Sequence, residues 1–568
     1  MSAKVRQIIM VFVCLCQFVS HLQAQQVEEV MRIVTGENDL ENFDPEVLDA
    51  VYQMQKHPVK INSASLSALE STGLFTSFQL ASLEDYKNRH GSVMSLNELS
   101  VIDGFTPDFV KAISPFILVD TDYFCPQNTH KPFSTDIGLR GGYKHDPSKQ
   151  VCKSTYAFRT RMKYEDKITL SLSATEPYDS TKTWPTIYTG NLTWQHRKGK
   201  VILGDFNARF GQGLCLWNTA TFSSPTSPSA FMKRSTGLSA SNSFTGSSAL
   251  TGLAVDYTFD RWKASALVSL PRIKKYGLKD KAMRLDPSVN LARYFNIGHL
   301  AMTHNMSFSN VFSSDYRIPK MLSAVDASLC IKGVNVFSEV AIDWVTYTPS
   351  AFVGVETGVG ESLVVASLIR YVPASNEHTA ALSGEVSRKS HRLTFSAEGR
   401  YYPVSKSKDG RKSYQFKPQV DWLWNASESL QVRLKFSERI RTWGNFFKTQ
   451  VRAEIRFAPG SWILAVRFDA LYGIDFGSCG YAEGGYVSDK LSVYARYGMF
   501  MVDNWDDRIY VYERDAPGYF SVPALYGRGL WTSVYLVWKY AKWGTLYLRG
   551  IYKNPGSAEV KLQCMLHF

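Results

Sequence analysis

The sequence lacks long apolar segments. Past the first 24 residues, no stretch of 18 or more residues is both apolar and uncharged. A transmembrane α-helix needs about 20 consecutive apolar residues, so this absence excludes a helical membrane protein. Aromatic residues nevertheless make up 13% of the 568 positions, and the mean hydropathy is −0.18. This combination is typical of strands that alternate between an apolar and a polar face.

Catalytic and metal-binding patterns are also missing. The sequence contains no GxSxG or HExxH motif, and its 11 histidines show no metal-ligand spacing. Six of the eight cysteines follow the first 24 residues, and the absence of CxxC pairs among them gives no sign of a disulfide scaffold. We therefore predict that the protein is not an enzyme and that it uses no catalytic residue, metal or cofactor.

One stretch rich in glycine, residues 203–214, needs an interpretation. It lacks the lysine of a phosphate-binding loop and the spacing of a dinucleotide-binding fingerprint. Gly211 and Gly213 instead predict a bend or a close packing of the backbone, with Asp205 and Arg209 facing inward. A ligand-binding role is the alternative.

The first residues have the organisation of an export signal. Lys4 and Arg6 precede an apolar run over residues 8–19, and a small-residue cleavage pattern follows at Leu22-Gln23-Ala24. We expect cleavage after Ala24 and therefore export from the cytoplasm. The run is shorter than the about 20 residues that a membrane anchor needs.

Charge divides the rest of the chain into two parts. Residues 27–120 hold 6 Lys/Arg and 15 Asp/Glu, a net charge of −9, and the residues before them contribute +2. Because the whole chain carries +13, residues 121–568 carry +20. We predict a signal peptide over residues 1–24, an acidic helical segment over 25–58, a helical domain over 59–120, a linker over 121–134 and a strand-rich domain over 135–568.

Helix boundaries are well marked in the acidic part. The predicted helix starts are Asp44-Pro45, Thr76 with Gln79, Ser95 with Glu98, and Thr106-Pro107. Arg89 and His90 before Gly91 predict the end of a helix. The sequence therefore predicts a short array of helices joined by tight turns that contain glycine.

Residues 60–115 carry a set of positions that occur together in one known family. They are Ile61-Asn62, Ala64, Leu69, Gly73-Leu74, Tyr86-Lys87, Gly91, Ser95, Glu98-Leu99, Val101, Gly104-Phe105, Ile113 and Pro115. This segment resembles the tandem helix-hairpin-helix domain of the ComEA competence DNA receptors. The resemblance implies a small all-α domain that binds DNA, with backbone contacts to a phosphate or a partner at Gly73, Leu74, Gly104 and Phe105.

Other residues of this segment weigh against DNA as the ligand. A DNA-binding hairpin needs two glycines in each turn, so that backbone N–H groups at a helix N-terminus can reach a phosphate. Phe75 and Thr106 occupy the second glycine positions, and Asp103 adds a negative charge beside the second turn. Since Lys and Arg dominate nucleic-acid affinity, a net charge of −9 favours internal packing, or docking of a periplasmic protein through residues 27–120.

Alternating strands fill the basic part of the chain. In residues 156–164 and 430–436, apolar side chains alternate with polar or cationic ones. The same alternation appears at residues 139–144, 168–174, 252–259, 264–270, 393–401, 451–457, 463–471, 491–501, 534–540 and 545–552. Such segments, separated by turn residues, predict an all-β architecture.

The last strand distinguishes a membrane barrel from a secreted soluble β-protein, which is the alternative. Residues 558–568 alternate up to Phe568 and are similar to the insertion signal of outer-membrane barrels, with Leu566 and Phe568 as its main residues. Tyr and Trp gather at strand ends, as membrane-interface girdles require. We predict an outer-membrane β-barrel that the barrel assembly machinery inserts into the lipid bilayer, fused to a helix-hairpin-helix domain in the periplasm.

Strand number and loops follow from chain length. With about 22–30 residues for each strand and its connection, residues 135–568 predict about 14–20 strands. An even number would leave both chain ends in the periplasm. Residues 218–250, 271–297 and 502–529 are candidates for extracellular loops or a lumen plug.

Cations on the polar strand face predict the character of the lumen. A charge on the lipid face costs about 2–4 kcal/mol near the midplane, so the strand cations are expected to point inward. These cations are Arg159, Arg161, Lys163, Arg433 and Lys435. A basic lumen would favour anionic solutes, whereas Asp/Glu of neighbouring strands would neutralise it and leave the interior packed shut. Three functions stay open, namely a channel or transporter with a docking domain, a DNA-uptake protein, and a structural surface barrel.

Overall fold

The computed structural model describes residues 30–120, 133–270 and 304–568, with short gaps inside each range. The predicted signal peptide, the Asp44 cap and the candidate loop 271–297 lie outside the described residues. Among the helices within those ranges, none is long and apolar enough to cross a membrane.

In the acidic part of the chain, the structure gives bounds for five α-helices, and capping side chains satisfy free backbone N–H groups at several of their starts. The helices are α1 (Pro45–Lys56), α2 (Leu66–Ser71), α3 (Ser77–His90), α4 (Leu96–Leu99) and α5 (Pro107–Ile113). Thr76 and Gln79 form the predicted reciprocal capping box at α3, and the side chains of Ser95 and Thr106 cap α4 and α5. Gly91 ends α3 with a φ of 87°, so these four predicted boundaries are confirmed.

The helices form two hairpins around a core of their own. The turn that contains Gly73 joins α2 to α3, and the turn that contains Gly104 joins α4 to α5. Phe75 and Phe105 are buried in the shared core, with their ring centroids 5.9 Å apart. Contact between apolar side chains of the two hairpins therefore holds the domain together.

A hydrogen-bond network fastens the two ends of this domain to each other. Strand β1 (Val59–Lys60) pairs in parallel with β2 (Ile117–Leu118). The backbone N–H groups of Asn62 and Ser63 donate to the Asp120 carboxylate at 2.8 and 3.1 Å. The Asn62 side-chain amide also donates to the Asp120 carbonyl at 2.8 Å. The two ends of residues 59–120 are therefore held together, and the core of this segment also includes Leu48, Val51 and Met54 of α1.

The basic part of the chain forms strands, and every segment predicted as a strand lies in one of them. They are β3 (Phe133–Asp146), β4 (Val151–Tyr164), β5 (Ile168–Glu176), β6 (Ile187–His196), β7 (Gly199–Arg209), β8 (Gly237–Ala240), β9 (Leu250–Phe259), β10 (Trp262–Leu270), β11 (His304–Ser313), β12 (Lys320–Ile331), β13 (Val334–Asp343), β14 (Thr348–Val359), β15 (Leu363–Val372), β16 (Glu377–Arg388), β17 (His391–Tyr402), β18 (Ser413–Asn425), β19 (Leu430–Arg441), β20 (Phe447–Phe457), β21 (Trp462–Tyr472), β22 (Phe476–Val487), β23 (Leu491–Val502), β24 (Ile509–Tyr510), β25 (Ala524–Leu525), β26 (Gly527–Ala541), β27 (Gly544–Lys553) and β28 (Ser557–His567).

Within the described residues, β3–β23 and β26–β28 form one closed barrel, in which the four-residue strand β8 and β9 pair with successive parts of β7, so that these 24 strands fill 23 places around the wall. The antiparallel pairing of β28 with β3 completes the circle. The barrel fold is confirmed, but the prediction of about 14–20 strands is wrong, because most connections are shorter than the prediction assumed.

The two ends of the barrel differ in their connections. At the end that holds Phe133 and His567, which we call the short-turn end, turns of two to four residues join successive described strands. At the opposite end, which we call the long-loop end, the connections include residues 177–186, 210–249, 403–412 and 503–526. Outer-membrane barrels show the same asymmetry, with short periplasmic turns and longer extracellular loops.

Strand β21 illustrates the two faces of the wall. Leu464, Val466 and Phe468 point outward and are 53%, 55% and 51% exposed. Arg467 and Asp469 alternate with them on the inner face and are buried. The wall therefore has an apolar outer surface and a polar inner surface, as the sequence predicted.

The helical domain lies inside this barrel. Arg161 of β4 donates a hydrogen bond to Gln53 of α1 at 3.1 Å, and Ser67 of α2 donates to Asp256 of β9 at 2.7 Å. The prediction that the domain stands outside the barrel in the periplasm is therefore wrong, because its acidic side chains pair with cations of the inner wall. We call residues 30–120 the plug.

Candidate functional site

An ionic cluster around Asp39 and Glu41 holds the plug to the wall. The two carboxylates face cations of β19, β20 and β21, namely Arg433, Lys435, Arg452 and Arg467. Asp39 lies 2.7 Å from Arg433 and 3.0 Å from Arg452. Glu41 lies 3.4 Å from Arg452 and also pairs with Arg467. One turn of the plug thus bridges three neighbouring strands.

The charge balance in this cluster keeps the plug carboxylates ionised. Burial alone would raise the pKa of Asp39, but the nearby charges of Lys435, Arg452 and Arg433 outweigh it and hold the pKa well below its usual range. Burial also raises the pKa of Glu41, but the charges of Arg452 and Arg467 outweigh it and lower the pKa to about 2. Both side chains are therefore charged at physiological pH.

A second ionic cluster lies where α2 meets β7, β9 and β10. Glu70 of the plug pairs with Lys263, which also lies 3.7 Å from Asp256. Lys200 lies 3.5 Å from Asp256 and donates to the backbone carbonyl of Ser67 at 3.1 Å. The contact again consists of charged groups that are buried together, and such groups are stable only when they are paired.

Residues 503–526, at the long-loop end, fold into the lumen. We call them the second inner loop, because another loop that enters the lumen precedes them in the chain. Asp515 of the second inner loop lies 3.2 Å from Arg140 and 3.5 Å from Lys561, and it also pairs with Arg549. The Arg140 guanidinium lies 3.3 Å from the centroid of the Tyr519 ring, in a cation–π contact. One carboxylate thus fastens this loop to cations on three strands.

The second inner loop also contacts the plug and covers a cysteine of the wall. The backbone N–H of Tyr512 donates to Glu41 at 3.3 Å, and Phe520 packs against the core of the plug. Ile509 and Val511 belong to a buried apolar cluster with Cys479 of β22, which is 2% exposed. The loop and the plug therefore contact each other inside the lumen.

A first inner loop follows β7 and consists of the described residues 210–218 and 226–237. Glu339 of β13 accepts hydrogen bonds from the backbone N–H groups of Gln212, Leu214 and Cys215, at 2.6, 3.0 and 3.1 Å. Arg234 donates to the backbone carbonyl of Leu74 at 2.7 Å. This loop is thus fixed to the wall through Glu339, and it also reaches the first hairpin of the plug.

The predicted lumen cations all lie on inner strand faces. Arg433 and Lys435 belong to the Asp39 cluster, and Arg161 donates to Gln53 of the plug. Arg159 and Lys163 lie on the same face of β4 as Arg161, away from the Asp39 cluster, and Arg159 is buried. Two of the five cations are thus brought together with plug carboxylates, an arrangement that the sequence analysis did not anticipate.

The four predicted hairpin residues do not form one contact surface. Gly73 and Leu74 are buried, with Gly73 beside Thr236 of the first inner loop. Phe105 is a core residue of the plug. Gly104 is exposed in the second turn. The first hairpin turn is therefore covered inside the barrel.

The stretch 203–214 forms the end of β7 and the entry to the first inner loop. Asp205 is buried and accepts hydrogen bonds from the N–H of Gly190 and the hydroxyl of Thr251, at 2.9 and 2.5 Å. Gly211 and Gly213 have φ values of 60° and 84°, which glycine adopts most readily. These glycines turn the chain into the lumen, in agreement with the predicted bend.

Residues Leu566 and Phe568 lie at the seam of the barrel. Leu566 pairs with Ile137 of β3. The N–H of Phe568 donates to the Thr135 carbonyl at 2.9 Å, and its ring stacks on Trp543 with centroids 6.2 Å apart.

Sequence reasoning missed the carboxylates that hold the closed state, namely Asp39, Glu41, Glu70 and Asp515. The opposite net charges of the two parts of the chain were the available signal for the first three, because a domain of −9 inside a wall of +20 neutralises buried cations. Among the described residues, no group of His, Cys, Asp and Glu is arranged to hold a metal ion.

Comparison with known proteins gives barrels of low similarity. The P pilus usher (PapC) translocation pore is 8% identical and aligns over 77% of this chain and 99% of its own, with a TM-score of 0.32. The siderophore receptor PirA from Acinetobacter baumannii is 10% identical over 77% of this chain and 80% of its own, with a TM-score of 0.39. Pseudomonas aeruginosa OccK11 (OpdR) is 8% identical over 77% and 96%, with a TM-score of 0.29. No protein-family model and no curated protein matches the sequence.

Proposed function

We propose that the protein is an outer-membrane transporter whose pathway is closed by its own helical plug. A solute crosses only when the plug shifts within the barrel or leaves it. The observation that carries this proposal is the ionic attachment of Asp39 and Glu41 to cations of the inner wall. The prediction of a periplasmic protein partner for the plug stays a prediction, and such a partner would supply the displacement.

The wall itself supports a location in the outer membrane. Its outward face is apolar in β21 and in neighbouring strands, where Ile455 and Met499 are about as exposed as Val466. A continuous apolar surface of this kind is unfavourable in water, whereas the acyl chains of a lipid bilayer accommodate it. The difference between the short-turn and long-loop ends is also that of outer-membrane barrels, and the predicted export signal agrees with it.

The nature of the contact supports a plug that can move. The plug keeps its own apolar core, so it loses little of that burial when it leaves the wall. Its contacts with the wall are ion pairs and hydrogen bonds, and water can replace these once it enters the lumen. Buried ion pairs contribute little net stability relative to apolar contacts, because desolvation offsets their attraction. If the plug occupied the barrel permanently, apolar contacts with the wall would stabilise it more than these polar contacts do.

The inner wall supports anionic solutes as the class that passes. Movement of the plug would uncover Arg433, Lys435, Arg452 and Arg467 on one side and Lys200 and Lys263 on the other. Wall carboxylates such as Asp421 and Asp469 stay behind and balance only part of this charge. Positive potential in a narrow lumen concentrates anions and repels cations.

Single-channel recording of the full chain in a planar bilayer tests the proposal. We expect the unaltered protein to be closed. Asp39→Asn combined with Glu41→Gln removes two charges from the plug and leaves four wall cations short of partners. Breaking a buried pair in this way costs about 3–5 kcal/mol, so the double variant should open repeatedly and prefer anions.

Asp85→Asn is the matched control. Asp85 belongs to the plug but pairs at 3.0 Å with Arg89 of the same helix, which is exposed. Exposed pairs contribute about 0–1 kcal/mol, so this variant should stay closed. Steady conductance of the unaltered protein would contradict a closed plug. If neither variant conducts ions, the result would favour a structural surface barrel without transport.

The DNA-uptake alternative receives less support from the plug. Its first hairpin turn is covered by the first inner loop, and its net charge opposes contact with a polyanion.

A further inference from the structure

An apolar groove lies on the outward face of β15–β19, close to the long-loop end. Its volume is about 550 Å³. Ala380 and Gly399 form its floor, and Ile369 and Phe416 stand on its two sides. A Cβ atom on Gly399 would meet nothing closer than the Ala380 carbonyl oxygen at 3.9 Å. Small residues therefore leave space for an apolar ligand in a surface that larger side chains otherwise fill.

A row of neighbouring aromatic rings crosses the groove at the level of the strand ends. Tyr371 and His378 stack with centroids 4.5 Å apart, His378 and Tyr401 are 5.9 Å apart, and Tyr401 and Tyr414 are 5.2 Å apart. Amphipathic rings of this kind mark the boundary between acyl chains and headgroups. The groove below the row therefore lies at acyl-chain depth.

Cations stand directly beyond that boundary. Residues 403–412 connect β17 and β18, the strands at the centre of the groove, and expose Lys406, Arg411 and Lys412. The Lys412 carbonyl accepts a hydrogen bond from Thr442 at 3.3 Å, which ties this connection to the end of β19. A cationic group thus lies above an apolar groove, with an aromatic row between them.

From this arrangement we infer a binding site for a phosphate-bearing lipid of the leaflet at the long-loop end. One acyl chain lies on Ala380 and Gly399, the aromatic row meets the glycerol or sugar region, and Arg411 and Lys412 bind the phosphate. Glu438, between Phe436 and Ile440 on the outward face of β19, lies on the side of the groove away from the cations. The inference rests on the proposed location in a membrane and is independent of transport.

Lipid binding to the delipidated full chain in detergent, measured by native mass spectrometry, tests this inference. The probes are phosphatidylglycerol and phosphatidylcholine with identical chains. We expect phosphatidylglycerol adducts to predominate. Ala380→Leu with Gly399→Leu fills the groove, displaces several methylenes and should weaken adducts of both lipids about tenfold or more. Arg411→Glu with Lys412→Glu should reduce the phosphatidylglycerol preference about fivefold for each cation removed.

Two controls separate this site from general contact with lipid. Ala470→Leu adds the same bulk to another small outward residue near the long-loop end of β21 and should leave the adducts unchanged. Arg388→Glu reverses a charge at the short-turn end and should leave the lipid preference unchanged. Equal losses in the groove variant and Ala470→Leu would overturn the inference, as would an absence of preference for phosphatidylglycerol. Recovery of the protein in the soluble fraction would instead contradict the membrane location itself.

Discussion

Asp39 and Arg433 lie 394 residues apart in the sequence and meet at 2.7 Å in the lumen of the barrel. The plug carboxylate and the wall cation are both nearly excluded from solvent. Each would be costly to bury alone, so the closed state depends on their staying together.

The pH at which the plug loosens follows from the acidic pKa values. Because the folded pKa of Glu41 is about 2 and that of Asp39 is also lowered, their stabilising contribution is complete above the ordinary value of 4.5 for Glu. It is lost as the pH falls through about 2. We expect bilayer recordings to show a closed barrel from neutral pH down to about pH 5 and openings only in stronger acid. Openings that begin near neutral pH would contradict the role of these carboxylates.

Asp515 should control access to Cys479. Asp515→Asn leaves the buried Arg140 and Arg549 and the partly buried Lys561 without their shared carboxylate. Because this costs about 3–5 kcal/mol, the second inner loop should leave the wall more often. Alkylation of Cys479, followed by peptide mass spectrometry, should then accelerate about tenfold or more. Asp503→Asn is the control, because Asp503 pairs with the exposed Arg528 at the rim of the same loop. Equal rates in the two variants would show that Asp515 does not hold the loop.

The full chain should not bind duplex DNA at physiological salt. Leu74 is covered by Arg234, the exposed second turn carries Asp103, and residues 27–120 have a net charge of −9. Non-specific binders with basic surfaces reach only about 10⁻⁴–10⁻⁶ M. Phe75→Gly and Thr106→Gly should not create binding, and removal of the buried Phe75 ring should cost about 3–5 kcal/mol of plug stability. A gel-shift titration across a salt series measures this. Micromolar binding that weakens steeply with salt would restore the DNA-uptake hypothesis.

Phe568→Glu should reduce assembly of the barrel. The backbone of Phe568 exchanges hydrogen bonds with Thr135, and its exposed ring stacks on Trp543 at the short-turn end. We expect less heat-modifiable protein in outer-membrane fractions on detergent gels. Phe447→Glu is the matched control, because Phe447 is equally exposed at the long-loop end, where a charge costs about 0–1 kcal/mol. Normal amounts of the Phe568 variant would argue against an insertion signal.

The barrel wall was predictable because its information is local. Alternation in β21, from Leu464 to Asp469, is visible in the sequence and reappears as the two faces of the strand. Thr76 and Gln79 likewise specify the start of α3 over four residues. Strand number was less accessible, since it depends on connection lengths that the sequence marks only weakly.

The position of the plug was not predictable from local patterns. Asp39 has no periodicity or motif that identifies Arg433 as its partner, and an acidic domain is equally compatible with a soluble docking module. Asp515 lies in a segment that was recognised as a loop or plug candidate, but its three cationic partners come from β3, β27 and β28. Contacts between residues so far apart in the sequence form only when the closed barrel brings distant strands together around its lumen.

The seam between β28 and β3 has a consequence for the order of assembly. These two strands are the last and first of the barrel, so their ladder forms only when every strand between them has been made. The plug precedes β3 in the chain and is therefore translated first. Because residues 30–120 share one apolar core and Asp120 is hydrogen-bonded to Asn62, we expect them to be able to fold before the sheet closes. We therefore expect the strands to close around a plug that is already folded, so that its carboxylates can pair with the cations of the inner face before β28 pairs with β3.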